Sequence, residues 1–167
     1  MIEKTVLFNK KFLLRLSIIS TCFLLDRLSK TYIINFFENS NLAERYINPY
    51  LNFTLLWNEG IAFGLLQADN FFYHLITFII LIVIIYIFYL NMKTRLINEA
   101  ICYSIIIGGA IGNFLDRIVH NAVPDFIDLH YGDFHWFVFN ISDVCITAGI
   151  LLLLFFDIIK FKKYAGK

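Results

Sequence analysis

Long apolar stretches alternate with polar segments along the chain, and the apolar stretches set the expected elements. An α-helix needs roughly 20 residues to cross about 30 Å of hydrocarbon, and four stretches approach that length. We predict membrane-spanning helices over residues 12–34, 71–90, 98–117 and 137–158. The second of these has no formal charge, whereas the first contains Arg15, Asp26, Arg27 and Lys30. These charged positions need a structural or functional explanation.

A different pattern fills the connection between the first two predicted helices. Leu51, Phe53 and Leu55 are apolar at every second position, a period of two that predicts a short strand at the membrane surface. Residues 58–60, Asn-Glu-Gly, are typical of a turn. Trp57 and the neighbouring aromatic residues suit an interfacial belt, although Trp57 could also line a groove for an acyl chain or a peptide.

Composition excludes an ordinary water-soluble fold. Of the 167 residues, 59% are hydrophobic and only 16% are charged, so a soluble protein would expose far more apolar surface than is normal. No repeat, low-complexity segment or linker divides the chain. We therefore expect one domain over residues 1–167, an all-α membrane protein built as a four-transmembrane-helix bundle with a short exported strand.

Basic residues are distributed unevenly between the two sides of the predicted bundle. Ten of the 14 lie on one side: Lys4, Lys10, Lys11, Arg15, Lys93, Arg95, Lys160, Lys162, Lys163 and Lys167. Segments 35–70 and 118–136 contain one basic residue, Arg45, and seven acidic ones. Basic residues near the ends of spans are retained in the cytoplasm. Both termini are therefore predicted to be cytoplasmic, and the two segments periplasmic.

Polar and ionisable residues within the predicted spans are concentrated at one level. A charge near the bilayer centre costs on the order of 3 kcal/mol, so each such residue needs a partner or a function. They are Asp26 and Lys30 at the end of the first span, Asn113, Asp116 and Arg117 at the end of the third, and Asn140 and Asp143 in the fourth. By the predicted topology, all of them lie near the exported face.

Helical spacing relates several of these residues to one another. Asp26 and Lys30 are four residues apart and can pair on one helix face, either as a structural ion pair or as part of a site. Residues 108–112 contain the G-x-x-x-G spacing that lets helices approach closely. Asn113 and Arg117, also four apart, project from one side of the same helix, which we expect to face protein.

Two carboxylates, Asp125 and Asp143, could meet at the exported surface. We interpret residues 123–128 as a short apolar loop, with Asp128 and Asp133 as solvated loop acids. Two carboxylates within hydrogen-bond reach share one proton and can act together as general base and general acid on water, as in aspartic proteases. The spacing leaves an alternative open, because Asp143 could instead cap the fourth helix.

Other chemistries have little support in the sequence. The histidines, His74, His120, His130 and His135, show no metal-ligand spacing, and no Ser-His or Cys-His nucleophile arrangement stands out. The cysteines, Cys22, Cys102 and Cys145, lie in apolar spans without paired spacing. We expect no metal, no cofactor and no nucleic-acid partner.

Four ordered sequence blocks resemble the lipoprotein signal peptidase (signal peptidase II) family, and they run across most of the chain. They are DRLSK at 26–30, NEGIAFG at 58–64, GGAIGNFLDR at 108–117 followed by VPDFID at 123–128, and FNISD at 139–143. Two positions depart from the family pattern: Ser142 stands where alanine is usual, and Pro124 replaces a common valine. Neither change removes a proposed functional group.

The resemblance implies roles for several polar residues in these blocks. Asp125 and Asp143 would be the catalytic dyad, and Asp116 would be structural. The polar shell around the dyad would consist of Asn113, Arg117 and Asn140, with Asp26, Lys30, Asn58 and Gly60 at support and substrate-binding positions.

The resemblance also implies the substrate and the location. The expected substrate is a bacterial prolipoprotein whose cysteine already bears a diacylglyceryl group, and cleavage would occur immediately before that cysteine. The enzyme would lie in the inner membrane among its lipids, as a monomer. Its exported strand and loop would form a periplasmic cradle and lid over the site.

Two other classes of protein compete with this interpretation. An ion or proton-coupled transporter also places Asp, Asn and Arg inside the membrane, but it needs polar residues through the membrane's depth. The spans over 71–90 and 150–156 offer almost none. A non-enzymatic membrane scaffold would leave Asp125, Asn140 and Asp143 unexplained.

Overall fold

A computed structural model of the chain describes residues 2–40, 42–60 and 70–165. These residues form four helices and four strands. The helices are α1 (Ile2–Ser40), α2 (Asn70–Lys93), α3 (Ile97–His120) and α4 (Ile141–Ala165). The strands are β1 (Glu44–Asn48), β2 (Leu51–Asn58), β3 (Val123–Tyr131) and β4 (Phe134–Phe139).

Three helical segments are long and apolar enough to cross a membrane: Phe71–Lys93, Ile97–His120 and Ile141–Phe161. The more highly charged α1 is not among them. In the most apolar part of each segment, half of the α3 residues are buried inside the protein. The buried share is 17% for α2 and 6% for α4. α3 is therefore the central helix, and the apolar sides of α2 and α4 are left for a surrounding lipid phase.

Small residues on α3 let α1 approach closely, as the G-x-x-x-G spacing predicts. A Cβ added at Gly108 would lie 2.6 Å from the Cβ of Cys22 and 2.7 Å from the carbonyl oxygen of Ile19. One added at Gly112 would lie 2.5 Å from Asp26 Oδ2. Real Cβ atoms do not tolerate such distances, so glycine at these two positions permits the contact between α1 and α3.

The strands form one antiparallel sheet in the order β1-β2-β3-β4. Its central pair, β2 and β3, joins the α1–α2 connection to the α3–α4 connection, with Leu56 opposite Asp125 and Asn58 opposite Val123. α3 ends at His120 and is followed by Asn121, a C-cap with a left-handed φ of 53°, and β3 begins two residues after this cap. The exit from α3 therefore leads within a few residues into the strand that carries Asp125.

The sheet is larger than the sequence predicts. The strand predicted from Leu51, Phe53 and Leu55 is present as part of β2, but the prediction that 123–128 is a loop is wrong, because these residues begin the β3–β4 hairpin. The first four residues of β3 are all buried, so the strand has no apolar/polar alternation to reveal it. Asp133 is an exposed turn residue as predicted, whereas Asp128 is only 3% exposed and is not a solvated loop acid.

Helix bounds also differ from the predicted spans. α4 begins at Ile141, because the apolar residues Phe137, Val138 and Phe139 belong to β4. Hydropathy does not distinguish an apolar strand at the membrane surface from the first turn of a helix. The turn predicted at 58–60 is present, with Asn58 Oδ1 accepting a 3.0 Å hydrogen bond from the Gly60 N–H. The remainder of that sequence block, residues 61–64, lies outside the described residues.

Candidate active site

A buried ion cluster joins α1 to α3 below the sheet. Arg27 binds both oxygens of Asp116, at 2.5 and 2.6 Å. Lys30 Nζ lies 2.7 Å from Asp116 Oδ2 and 2.9 Å from Asp26 Oδ1, so the pair predicted between Asp26 and Lys30 is present. Two cations and two carboxylates balance in charge, as burial of ionised groups requires. Asp26 also accepts the backbone N–H of Ser142 at 3.0 Å, which attaches α4 to the cluster.

Asp125 lies on β3 and is only 2% exposed. Its two oxygens have separate donors: Asn58 Nδ2 is 2.8 Å from Oδ2, and Asn140 Nδ2 is 2.6 Å from Oδ1. Burial and, to a smaller extent, the negative charge of Asp143 raise the pKa of Asp125 to about 6, against the opposing effect of the two amide donors. Asp125 is thus a carboxylic acid that titrates near neutrality.

Asp143 lies in the first turn of α4 and takes part in a reciprocal cap. Its Oδ2 accepts the backbone N–H of Asn140 at 3.1 Å, while the Asn140 Oδ1 accepts the backbone N–H of Asp143, also at 3.1 Å. Its Oδ1 accepts a 2.8 Å hydrogen bond from Asn113 Nδ2 on α3. Capping and proximity to Asp125 were alternatives in the sequence, and the structure combines them.

Asn140 contacts both carboxylates. Its side-chain amide donates to Asp125 and its backbone N–H donates to Asp143, so the two acids meet around one residue between β4 and α4. Asn140 itself is fully buried. The residues at 125 and 143, which are distant from each other in the sequence, are thereby brought into one polar site.

Lys30 connects the ion cluster to this site. Its ammonium group donates to Asn113 Oδ1 at 2.7 Å, and the amide nitrogen of Asn113 in turn faces Asp143. Because Lys30 can only donate, it fixes which end of the Asn113 amide points toward the carboxylate. Lys30 and Asn113 therefore position Asp143 from below, as Asn58 and Asn140 position Asp125 from the sheet.

Arg117 does not contact either carboxylate. It donates a 2.8 Å hydrogen bond to the carbonyl oxygen of Gly60, and its guanidinium carbon lies 5.4 Å from the centre of the Tyr73 ring. Arg117 thus links the C-terminal end of α3 to Gly60, two residues after the end of β2. The sequence does not predict that Arg27 binds Asp116 or that Tyr73 lies beside Arg117. Both contacts join separate elements, and no local spacing reveals them.

A cavity of about 600 Å³ lies between the β3–β4 hairpin and the first turns of α4. Its wall is mostly apolar, with contributions from Leu129, Trp136, Val144 and Leu151. Asp143 adds a carboxylate to this wall. An apolar ligand in the cavity would thus lie against one member of the acid pair.

The arrangement suits hydrolysis by an activated water molecule. Two neighbouring carboxylates of which one is protonated can remove a proton from water and donate a proton to a carbonyl oxygen in the same step. The pair resembles an aspartic peptidase site in its chemistry, and the apolar cavity beside it suits a hydrophobic substrate.

Comparisons with known proteins agree on one family. The family model described as Signal peptidase (SPase) II matches residues 18–159. The chain is 46% identical over 150 residues to a lipoprotein signal peptidase of Pelagibacter ubique (strain HTCC1062), covering 89% of this chain and 90% of that protein. It is 38% identical over 136 residues to that of Anaplasma marginale (strain Florida), covering 81% and 79%.

The fold also has a solved counterpart. A bacterial membrane enzyme determined by the in meso method at 2.3 Å resolution superposes with a TM-score of 0.69 at 31% identity, covering 92% of this chain and 90% of that one. The likeness identifies a multi-pass bacterial membrane protein. The chain therefore belongs to the signal peptidase II family of aspartic peptidases, and its activity is that of a lipoprotein signal peptidase.

Proposed function

We propose that this enzyme removes the signal peptide of diacylglyceryl-modified prolipoproteins, cleaving just before the lipidated cysteine, with Asp125 and Asp143 as its catalytic dyad. The observation that carries the proposal is the double contact of Asn140, which holds both carboxylates in one site. The cavity that reaches Asp143 supports it further.

The two acids have different surroundings, and we assign them different roles. Asp125, whose pKa is raised to about 6 by burial, carries the proton. Asp143, on the cavity wall and held by Asn113 and the N-terminus of α4, is the ionised base. A carboxylate at a helix N-terminus is stabilised in its charged form.

The reaction then runs in two balanced steps. Asp143 accepts a proton from water as the water oxygen bonds to the scissile carbonyl carbon, and Asp125 donates its proton to the carbonyl oxygen, which forms a geminal diol. Asp143 next protonates the amide nitrogen while Asp125 removes a proton from one diol hydroxyl. The C–N bond breaks, the carbonyl re-forms, and each acid regains its starting state.

The ion cluster serves this chemistry from a distance. Lys30 orients Asn113, and Asn113 orients Asp143, so the direction of the base is set by a charge buried between α1 and α3. Asn58 and Asn140 together fix the plane of the Asp125 carboxyl group. Rigid positioning of both acids is what a proton transfer to and from one water molecule requires.

The substrate fits the location of the site. A signal peptide is an apolar helix, and an acyl chain is apolar as well, so both can be accommodated by the cavity wall and the apolar faces of the helices. We assign α1 as a fourth membrane span in addition to the three candidates, with both termini in the cytoplasm. The sheet would then form a periplasmic cradle, and the dyad would lie at the periplasmic end of the bundle.

The transporter alternative has no comparable support. The buried ion cluster and the dyad lie at one end of α3 and α4, and the middle of α2, from Ile79 to Ile85, is apolar. A proton or ion path would need polar groups along the whole depth of the bundle.

The proposal is tested with purified enzyme and a lipidated precursor. Asp125→Asn and Asp143→Asn should each reduce cleavage by at least about 10³-fold, because each preserves shape but removes an ionisable group. Asp133→Asn is the matched control, since Asp133 is an exposed turn acid of the same hairpin and should retain full activity. An unlipidated precursor measures the requirement for the diacylglyceryl group. Normal cleavage by either dyad variant would refute the assignment.

A further inference from the structure

Three potential metal ligands that the proposed reaction does not use converge on the β3–β4 hairpin. Asp128 and His130 lie on β3, and His135 on β4 is the cross-strand partner of His130. One carboxylate oxygen and one ring nitrogen from each histidine all lie within 4.8 Å of one another. Asp128 Oδ2 is 2.8 Å from His135 Nδ1, and the two imidazole rings stack with centroids 5.1 Å apart.

Polar atoms in this group are left without partners. Asp128 is 3% exposed, yet its Oδ1 meets no hydrogen-bond donor among the described residues, and the same is true of His130 Nδ1. Asn52, which lies directly opposite Asp128 on β2, has a buried Oδ1 that is equally unpaired. Burial of a polar group without a partner is unfavourable. A cation bound between these side chains would give such unpaired atoms a partner.

We propose that Asp128, His130 and His135 bind a divalent late transition metal, with Zn²⁺ as the ion that best fits the donor set. Two imidazoles and one carboxylate are ligands that zinc takes, with water in the fourth position. Tetrahedral zinc places its ligand atoms about 3.3 Å apart, so a small closing movement completes the site. The His135 side chain is half exposed and has room for that movement.

The spacing of the histidines along the chain gives no sign of this site, so the sequence alone predicts no metal. Pairing of β3 with β4 creates it, next to a register shift between Asp128 and His130. A bound ion would cross-link the hairpin, and the same two strands lead to Asp125 and to Asn140. The metal would therefore stabilise the hairpin that lines the cavity.

The test is metal binding by the full chain in detergent or nanodiscs, without a histidine tag and after treatment with a chelator. Zn²⁺ is titrated by calorimetry, and Co²⁺ is followed by its visible absorption, which reports four-coordinate geometry. We expect one ion per chain and affinity at least about tenfold weaker in His130→Gln and in His135→Gln. His74→Gln, which changes an exposed histidine on α2, should bind as the wild type does.

Thermal unfolding provides a second measurement that is independent of peptidase activity. Zn²⁺ should raise the unfolding midpoint of the wild type and of His74→Gln, but not that of His135→Gln, because an ion stabilises only the fold that binds it. Equal midpoints of all three proteins in chelator would show that His135→Gln folds. The proposal is overturned if the wild type binds no Zn²⁺, if both hairpin variants keep wild-type affinity, or if His74→Gln loses affinity to the same extent.

Discussion

The side-chain amide of Asn140 donates a 2.6 Å hydrogen bond to Asp125. A donor to a carboxylate stabilises its ionised form and lowers its pKa, so this contact opposes the effect of burial on Asp125. Asn140 also caps α4, since its Oδ1 accepts the backbone N–H of Asp143. One residue therefore affects both the proton affinity of Asp125 and the stability of the helix that carries Asp143.

Replacement of Asn140 separates these two effects. Asn140→Ala should shift the alkaline limb of the kcat/KM profile to higher pH, because the pKa of Asp125 rises when the donor is lost. It should also destabilise the fold by about 1 kcal/mol through loss of the cap. Asn140→Ser is the comparison, because serine restores a cap without reaching Asp125. A pH profile that returns to normal in the serine variant would contradict this account.

The pH dependence of the wild type assigns the roles of the two acids. If Asp125 carries the proton, kcat/KM should fall as the pH rises through about 6, where the free enzyme loses that proton. The pKa of a free aspartate is about 4, so the folded state binds the proton more tightly than the unfolded chain. The resulting stabilisation is complete below pH 4 and is lost as the pH rises through about 6.

Profiles between pH 4.5 and 8.5, measured with one lipidated precursor, provide the test. The thermal midpoint of Asp125→Asn should vary less over this range than that of the wild type. An activity that instead increases with pH through about 6 would mean that Asp125 is the base and Asp143 the acid.

The buried ion cluster should be sensitive to loss of a single charge. Lys30→Met leaves Asp26 and Asp116 with Arg27 as their remaining cation and should destabilise the protein by about 3–5 kcal/mol. It also removes the donor to Asn113, so catalysis should fall in whatever protein remains folded. Thermal unfolding in detergent measures the first effect.

A compensating variant distinguishes charge balance from the shape of the lysine. Lys30→Met combined with Asp26→Asn restores neutrality and should recover part of the lost stability, but not the orientation of Asn113. If the double variant is no more stable than Lys30→Met alone, the balance of charge is not what the cluster provides.

The cavity beside Asp143 should determine substrate affinity. Ala148→Trp places a large ring into its wall and should raise KM for the lipidated precursor at least about tenfold while changing kcat little, because Asp143 and its partners are untouched. Ile150→Trp is the matched control, since Ile150 lies on the exposed side of α4. Equal KM values for these two variants would exclude the cavity as the binding site.

Local patterns account for what could be predicted. The four helices follow from runs of apolar residues, the pairing of Asp26 with Lys30 follows from their spacing of four, and the approach of α1 at Gly108 follows from the small-residue pattern. The prediction that Asp128 is a solvated loop acid was wrong, because no local pattern reveals its burial. Its burial depends on the pairing of β3 with β2 and β4, and a strand buried on both faces carries no period of two.

By itself, the sequence determined that the chain enters a membrane, which residues form its helices, and which family its motifs resemble, because these properties depend on neighbouring residues. The tertiary structure alone decided that Asn58, 67 residues before Asp125, supplies one of its donors. It also decided that Asp128 meets His130 and His135. Both contacts depend on strand register, in which a shift of one residue reverses every side chain, so they are specified only when the whole sheet packs on the helices.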